Sequence, residues 1–356
     1  MGNLLDYVAW RGDLPLEQVP FGPVDALVLS ALAYIRFDGL IPGGPEQGVP
    51  LRQAAEEYLA LPEGRRGRCR CAQDLTLLQA LAGAPRFSDM ELCRPVSRFV
   101  PEEETQFAAL TVLPGDGSAF LAFRGTDGTL VGWKEDFNLS FLDVVPAQLE
   151  AADYVRDFAA RFPGPLRLGG HSKGGNLAVA GAALSPAKAR DRMEAAYSFD
   201  GPGFNPYLLA RPGYQELRTR IRSFVPKSSV VGLLLVHEEP HTVVDSDQKG
   251  LFQHDLYSWQ VLGGDFVRLE EVDPGSRLLD RTLKNWLAGL TNAQRETVVD
   301  TLYELLSSGD ARTVKEALEP ANLSAALRAS LDADPRDLFT VAGSLARLAG
   351  AALRAL

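Results

Sequence analysis

The sequence predicts an α/β fold with a mostly parallel central sheet, an N-terminal helical segment and a C-terminal helical annex. Three observations predict it. Residues 119–225 alternate short apolar runs with stretches of helical periodicity, which is typical of βαβ units. Residues 1–100 show apolar side chains at helical spacing, and so do residues 276–356. We therefore expect one domain over residues 1–275, with its sheet core and functional site in residues 101–275, followed by an annex over residues 276–356.

The individual elements follow from changes in the hydrophobic period along the chain. In the N-terminal segment, helices are expected over residues 24–35, 51–61 and 75–81. A hairpin is expected next, with strands over residues 107–113 and 118–123. The alternating region is expected to contain helices over residues 148–162, 173–184 and 207–220, and strands over residues 166–169, 195–199, 221–225, 242–244 and 266–269. The annex is expected to hold helices over residues 278–290, 293–306, 311–318 and 324–356.

The composition argues against several classes of function. The chain has 356 residues, 46 % hydrophobic and 23 % charged, and a formal net charge of −10, which disfavours nucleic-acid binding through a basic surface. No apolar run reaches the roughly 18 residues of a membrane-spanning helix. Residues 1–10 lack the basic leader and apolar core of a signal peptide. We therefore expect a cytoplasmic protein with no transmembrane segment and no nucleic-acid partner.

The cysteines indicate neither a disulfide framework nor a metal site. There are three, Cys69, Cys71 and Cys93, and an odd number with a tight C-x-C does not suggest paired bridges. A structural zinc site needs four ligands, and no histidine lies near these cysteines in the sequence. We expect reduced thiols, and we predict no metal and no cofactor.

The most informative motif is the run Gly170-His171-Ser172-Lys173-Gly174. It follows a short apolar run and precedes an alanine-rich helical pattern, which is the strand–turn–helix context of a nucleophile elbow. Small residues two positions before and after the serine let the strand and the helix pass without a clash. Ser172 is therefore the predicted nucleophile, with helix capping as the alternative role for this serine.

A second motif lies upstream, where an apolar strand ends in Arg124-Gly125-Thr126. In serine hydrolases of α/β type, the oxyanion is held by the amide after the nucleophile and by one from an earlier strand–helix loop. The backbone amides of Lys173 and Thr126 are the predicted donors. The alternative is an ordinary glycine turn at the end of a strand.

A serine nucleophile needs a histidine base, and this chain has four histidines. His171 lies inside the elbow and is expected to be a packing residue. The chain order serine, acid, histidine places the base late, which favours His254. His241 and His237, which flank a charged loop, remain alternatives.

The acid that orients the base is predicted to be Asp200. It follows the apolar strand over residues 195–199, one βαβ unit after the elbow, so its carboxylate is expected at the same edge of the sheet as the serine. Asp245 and Asp247 are the alternatives. A further alternative is that Asp200 is only a turn residue in Asp200-Gly201-Pro202-Gly203.

These residues resemble a known group of proteins. Phe123-Arg124-Gly125-Thr126, the following Trp133 and Asp136, and the elbow are similar to class 3 (fungal-type) lipases. The similarity is greater still to a related bacterial lipase-like family of largely unknown function, and it covers roughly residues 3–262. Further matching motifs are Asp6 to Asp13, Phe199 to Phe204, Val225 to Gly232 and Gln253-His254-Asp255 with Ser258-Trp259.

The resemblance implies an α/β-hydrolase fold with Ser172, His254 and the two oxyanion amides at its site. One departure is clear, because class 3 lipases carry the acid near the end of the strand that corresponds to residues 221–225. This chain has Ser223-Phe224-Val225-Pro226 there and no carboxylate. The departure moves the acid to Asp200.

The leading hypothesis is an acyl-ester hydrolase, acting on a small acyl ester or a lipid by a Ser-His-Asp mechanism. The alternatives are a catalytically weak or inactive binding protein, and an acyltransferase or thioesterase. The Lys173 side chain is expected to point to solvent, with recognition of an anionic substrate group as the alternative. The apolar faces of the annex are expected to pack on the hydrolase domain or, as a second explanation, to form a homodimer.

Overall fold

The structure, a computed structural model, describes residues 2–42, 47–67 and 69–355. Met1 and Leu356, the ends of the predicted domains, lie outside the described residues. The chain forms two compact units. The first consists of Met1–Arg98, Phe107–Gly125 and Ala147–Asp273, and the second of Phe99–Gln106, Thr126–Pro146 and Pro274–Leu356. The predicted boundary between residues 275 and 276 stays a prediction.

The strands form one nine-stranded sheet and one small two-stranded ribbon among the described residues. In chain order the strands are β1 Val49–Pro50, β2 Glu91–Val100, β3 Thr105–Leu113, β4 Ala119–Phe123, β5 Leu166–His171, β6 Met193–Phe199, β7 Ile221–Pro226, β8 His241–Val244, β9 Val261–Leu262, β10 Asp265–Phe266 and β11 Arg268–Leu269.

The centre of the large sheet is parallel. Strands β4 to β8 lie side by side in chain order, and each pairs in parallel with the next. Antiparallel pairs, β3 with β4 and β8 with β11, adjoin this parallel block. The prediction of a mostly parallel α/β sheet is confirmed. Because the strands are parallel and in register, the ends of β4, β5 and β6 meet at one edge of the sheet.

Helices of the first unit pack on this sheet, and further helices build the second unit. In chain order they are α1 Leu4–Arg11, α2 Pro23–Leu32, α3 Leu51–Ala60, α4 Ala72–Gly83, α5 Leu130–Asn138, α6 Pro146–Ala159, α7 Lys173–Leu184, α8 Ala187–Arg190, α9 Pro206–Leu209, α10 Pro212–Leu217, α11 Pro274–Ala288, α12 Asn292–Ser307, α13 Val314–Ala317, α14 Pro320–Asp332 and α15 Pro335–Ala355. None of the helices in the described part of the chain has both the length and the apolarity needed to cross a membrane. The cytoplasmic location stays a prediction.

Two apolar clusters cover the two faces of the sheet. Because successive strand residues point to opposite faces, Phe120 and Ala122 of β4 join the cluster that contains α2 and the other N-terminal helices. Leu121 and Phe123 of the same strand join the cluster that contains α6 and α7. Helix α7 packs on β4, β5 and β6, so its first turn lies at the edge where these strands end.

The second unit is helical and draws on separate parts of the chain. Helix α5 packs on α12, and α12 also packs on α14 and α15. The segment before α5 is tied to the later helices by an isolated bridge between Thr129 and Thr313 and by the Leu130 amide, which donates to the Arg312 carbonyl at 2.9 Å. Thr291 caps the N-terminus of α12 and forms a capping box with Gln294.

The structure differs from the predicted elements in several places. Residues 1–100 contain the short strand β1 and the long strand β2 as well as helices. Strand β2 was not predicted, because Pro95 and charged residues interrupt the alternation of apolar side chains. The strand is also irregular at Arg94, which has a φ of 52°. The helix predicted over residues 207–220 is divided into α9, α10 and a 3₁₀ turn, and the one predicted over residues 324–356 is divided into α14 and α15. The second division falls where Pro335 begins a new helix.

Candidate active site

Ser172 lies at a sharp turn between β5 and α7. Its φ is 59° and its ψ is −133°, a combination that residues with a side chain rarely adopt. The turn is held by the backbone, since the Ser172 amide donates to the Phe199 carbonyl at 2.9 Å and the Ser172 carbonyl accepts from the Gly175 amide at 2.9 Å. The serine is half-buried and directly follows the end of β5.

The glycines on either side of Ser172 make this turn possible. A Cβ at Gly170 would come closer than 3.0 Å to the backbone of Gly174 and to the Phe123 carbonyl oxygen. A Cβ at Gly174 would come even closer to the same Phe123 carbonyl oxygen. Real Cβ atoms essentially never approach so closely, so strand β5, helix α7 and the end of β4 pack together only where these positions are glycine.

His254 and Asp200 are brought together from distant parts of the chain. The His254 Nδ1 lies 2.6 Å from the Asp200 Oδ2. Asp200 directly follows β6 and is buried, with 1 % of its surface exposed. Its other oxygen, Oδ1, accepts hydrogen bonds from the Ser229 hydroxyl at 2.5 Å and the Gly232 amide at 3.1 Å. Both carboxylate oxygens therefore have partners, and the geometry can fix the orientation of the imidazole.

The alternative residues either pair with other groups or lie at the surface. Asp245 forms an ion pair with Lys227 at 2.6 Å, and the Asp247 amide donates to the Ser258 carbonyl at 3.0 Å. His237 lies 2.9 Å from Glu239, and His241 is an exposed residue of β8. The structure thus places none of these four residues beside the His254–Asp200 pair in a contact that it records.

The end of β4 passes directly beside the elbow. A Cβ at Gly125 would lie 3.1 Å from the Cβ of Ser172, so the backbone before Thr126 runs close to the serine. Thr126 begins a segment of the second unit, and there its hydroxyl donates to Asp136 of α5 at 2.6 Å. Lys173 is the first residue of α7, and its side chain is 1 % exposed. The expectation that this lysine points to solvent is wrong, because the side chain is enclosed at the base of the helix.

His171 has a larger part in the site than its predicted packing role. Its Nε2 lies 2.7 Å from the His254 carbonyl oxygen, and its Nδ1 lies 2.9 Å from the Tyr34 hydroxyl. The two imidazole rings are 4.6 Å apart between centroids. Burial lowers the pKa of His171 well below 6.5, and the nearby His254 and Arg70 lower this pKa further. The residue before the nucleophile therefore joins the elbow to the loop of the candidate base.

Arg70 is a second contributor that the sequence did not single out. Its guanidinium lies 3.1 Å from Asp255, the residue after His254, and 3.7 Å from Asp74 of α4. It also lies over the rings of Tyr34 and Tyr257. The arginine-rich stretch around it resembles an exposed loop in sequence, and only the folded chain places this cation against the histidine loop.

Comparison with known proteins adds a family and two distant structural similarities. Residues 81–304 match the model of the Mbeg1-like family. The native lipase–propeptide complex of Rhizomucor miehei is similar at 17 % identity, over 62 % of this chain and 67 % of that one, with a TM-score of 0.38. A mutant form of MDLA from Penicillium cyclopium is similar at 15 % identity, over 68 % and 83 %, with a TM-score of 0.36. No curated protein matches the chain.

Proposed function

The chain belongs to the Mbeg1-like family, and we propose from its site that it is a serine hydrolase of the α/β-hydrolase fold that cleaves acyl esters. The observation that carries the proposal is the 2.6 Å contact between His254 Nδ1 and a buried carboxylate, that of Asp200. It occurs in a chain whose Ser172 occupies a strained strand–helix turn. A histidine base oriented by a buried carboxylate and a serine at a strand–helix turn are the side chains that serine-dependent acyl transfer requires.

In the proposed mechanism, the Ser172 hydroxyl attacks the ester carbonyl and its proton passes to His254 Nε2. Asp200 keeps the Nδ1–H tautomer of His254 and stabilises the imidazolium that forms. The imidazolium then protonates the departing alcohol, which leaves an acyl group on Ser172. Water, activated by the same imidazole, releases the acid and restores the serine. The backbone amides of Thr126 and Lys173 are the proposed donors to the oxyanion.

The proposal is favoured over the alternative of a binding protein on an inactive hydrolase fold. The main support for that alternative was that no carboxylate lies near the end of β7, where class 3 lipases carry the acid. With Asp200 beside His254, the absence at that strand no longer counts against catalysis. The proposed substrate class is a small acyl ester or a lipid. Acyl transfer would differ from hydrolysis in the group that accepts the acyl chain, and thioester cleavage would differ in the leaving group.

Covalent labelling with a fluorophosphonate tests the nucleophile. We expect one phosphonyl group per chain in the unmodified protein and none in Ser172→Ala, because only an activated serine reacts readily with this probe. A panel of acyl esters and thioesters, with and without an added alcohol acceptor, then identifies the reaction. A folded, unmodified protein that neither labels nor turns over any ester would refute the proposal.

A matched pair of substitutions tests the acid. Asp200→Asn should lower kcat by about 10³- to 10⁴-fold, because the amide stabilises the wrong tautomer of the base. The control is Asp245→Asn, because Asp245 also directly follows a strand but pairs with Lys227. This pair is partly exposed, so its loss should change kcat by less than about threefold. The reverse ranking would show that the acid is misassigned.

A further inference from the structure

A second imidazole lies next to the candidate base. His171 is buried, and its ring is tilted by 37° against that of His254 at a centroid distance of 4.6 Å. Its Nε2 faces the backbone carbonyl of His254, whereas the proposed mechanism uses only the His254 side chain. The contact therefore acts on the position of the base and takes no part in the proton transfer itself.

The hydrogen bonds of His171 determine its tautomer. A carbonyl oxygen can only accept, so the 2.7 Å contact requires a hydrogen on His171 Nε2. Burial keeps the ring neutral by lowering its pKa, so Nδ1 carries no hydrogen and accepts from the Tyr34 hydroxyl at 2.9 Å. The His254 carbonyl thus sets the tautomer, and the Tyr34 hydroxyl, which can donate or accept, holds the ring through Nδ1.

The loop that carries His254 lies outside the parallel strands. His254 ends a short 3₁₀ turn, Gly250–His254. Gln253 and Asp255 on either side are held, since the Gln253 carbonyl accepts from the Trp259 indole at 2.9 Å and Asp255 pairs with Arg70. The bond from His171 is the recorded contact that ties the backbone of His254 itself to the nucleophile elbow.

We propose that His171 is a positioning residue for the base, and that its Nε2–H bond to the His254 carbonyl sets the distance between base and nucleophile. Tyr34 supports this role by holding the His171 ring through Nδ1. The inference rests on the proposed function, because it assigns His171 a part in that same reaction. Misplacing a catalytic group by about 1 Å can cost about 100-fold in rate, so the effect is measurable.

Two substitutions at position 171 separate positioning from packing. His171→Leu fills similar space without a donor, and we expect kcat to fall about 10- to 100-fold with KM changed less than about twofold. His171→Gln places an amide donor near the same point and should recover kcat to within about fivefold of the unmodified protein. Tyr34→Phe, which removes the hydrogen bond that holds His171 Nδ1, should lower kcat by about 3- to 10-fold. The exposed His241→Leu is the matched control and should leave both constants unchanged.

The fraction of protein that labels at saturating fluorophosphonate shows whether each variant is folded, and the labelling rate reports the position of the base. We expect full labelling at a reduced rate for His171→Leu. A kcat for this variant within twofold of the unmodified protein would overturn the inference, and so would a failure of glutamine to do better than leucine.

Nitrogen-15 NMR of the imidazoles provides a readout that is independent of activity. We expect His171 to remain neutral with its hydrogen on Nε2, both in the unmodified protein and in Tyr34→Phe, because the His254 carbonyl can only accept. An Nδ1–H tautomer at His171 would overturn the inference even in an active enzyme. An Nε2–H tautomer in a protein that does not label at Ser172 would instead refute the proposed function alone.

Discussion

Backbone strain coincides with the candidate catalytic residues. Ser172 and Asp200 both have positive φ, 59° and 50°, although neither is glycine. Such conformations cost about 1–3 kcal/mol each and persist where the surrounding structure enforces them. Around Ser172 the enforcing contacts are close backbone approaches, and around Asp200 they are hydrogen bonds to its carboxylate and from its amide to Phe224. Two of the five non-glycine residues with positive φ in the described part of the chain therefore lie at the edge of the sheet where the proposed chemistry takes place.

Gly174→Ala tests whether close packing at the elbow is essential. The added Cβ would meet the carbonyl of Phe123, which belongs to a central strand and cannot move aside. We expect about 3 kcal/mol of destabilisation, at the upper end of overpacking costs, together with loss of Ser172 labelling. Denaturant unfolding measures the first effect and probe labelling the second.

The control for this substitution is Gly83→Ala at the end of α4, where a Cβ would meet no atom within 4 Å. Alanine favours the helix there and should stabilise the protein by about 0.5–1 kcal/mol. If both substitutions had the same small effect, the close contact at Gly174 would not be a constraint on the fold.

His171 predicts a dependence of stability on pH. Its pKa in the folded state is depressed by burial and by neighbouring His254 and Arg70. Below about pH 6.5 the unfolded chain therefore binds a proton at this position that the folded chain does not, and stability falls by about 1.4 kcal/mol per pH unit. The loss begins at the unfolded-state pKa and continues until the lower, folded-state pKa is reached.

Urea unfolding of the unmodified protein and His171→Gln isolates this contribution, since glutamine does not titrate. Between about pH 8 and about pH 5.5, the unmodified protein should lose about 1.4 kcal/mol more of its free energy of unfolding than the variant does. An equal loss in both proteins would mean that His171 titrates normally in the folded state.

At the scale of elements, the N-terminal helices are joined by a buried ion pair. Arg86 forms two hydrogen bonds with Asp25 of α2, at 2.7 and 2.6 Å, and both side chains are almost completely buried. Asp25 also accepts from the Tyr7 hydroxyl of α1 at 2.8 Å. The remaining donors of Arg86 bind the carbonyls of Leu14, Val19 and Pro20, so one guanidinium connects α2 with the chain between α1 and α2.

Arg86→Met should destabilise the protein by about 3–5 kcal/mol, because it leaves the Asp25 carboxylate buried without its cation. The control is Arg52→Ala, which removes the exposed partner of Asp89 in a pair whose side chains are 56 % and 74 % exposed. That change should cost no more than about 1 kcal/mol. Denaturant midpoints measure both, and similar values would show that the buried network contributes no more than a surface pair.

At the scale of the whole molecule, the helical unit depends on segments that are distant in sequence. Lys134 of α5 pairs with Glu104 at 2.7 Å and with Asp300 of α12 at 2.9 Å. Arg295 of α12 donates to the Ser140 carbonyl at 2.5 Å. The chain around α5 therefore relies on the C-terminal helices for its partners, although about 140 residues separate the two.

Shortening the protein to residues 1–273 should abolish soluble, folded material. The change removes α11 to α15 and exposes the face of α5 that packs on α12, and large exposed apolar patches promote aggregation. Expression and size-exclusion chromatography measure the outcome. Leu331→Ser, at a side chain that is 81 % exposed, is the control and should remain soluble. A soluble, active monomer obtained from a dimeric full-length protein would instead support the predicted homodimer and assign the helices to assembly.

Much of the architecture could be predicted because hydrophobic period is a local property. Alternating apolar runs and helical stretches are present in the sequence itself, and strands β5, β6 and β7 and helices α6 and α7 lie close to their predicted places. Strand β2 could not be recognised, because its proline and charged residues interrupt the alternation of apolar side chains. Its pairing with β1 and β3 is a tertiary contact that the local sequence does not show. The sequence also did not predict that α5 belongs to the helical unit, because this depends on its packing against α12, far along the chain.

The sequence by itself determined the elbow, because the requirement for glycine two residues on either side of Ser172 comes from the crossing of one strand and the helix that follows it. It also favoured His254 as the candidate base, with His241 and His237 as alternatives, and narrowed the candidate acid to three aspartates. Only the tertiary structure decided which of them meet. Asp200, Asp245 and Asp247 all follow strands, and the folded sheet brings Asp200 alone, among the three, into recorded contact with His254. The hydrogen bond between His171 and His254 is likewise a product of folding, since it joins a strand end to a loop 83 residues later.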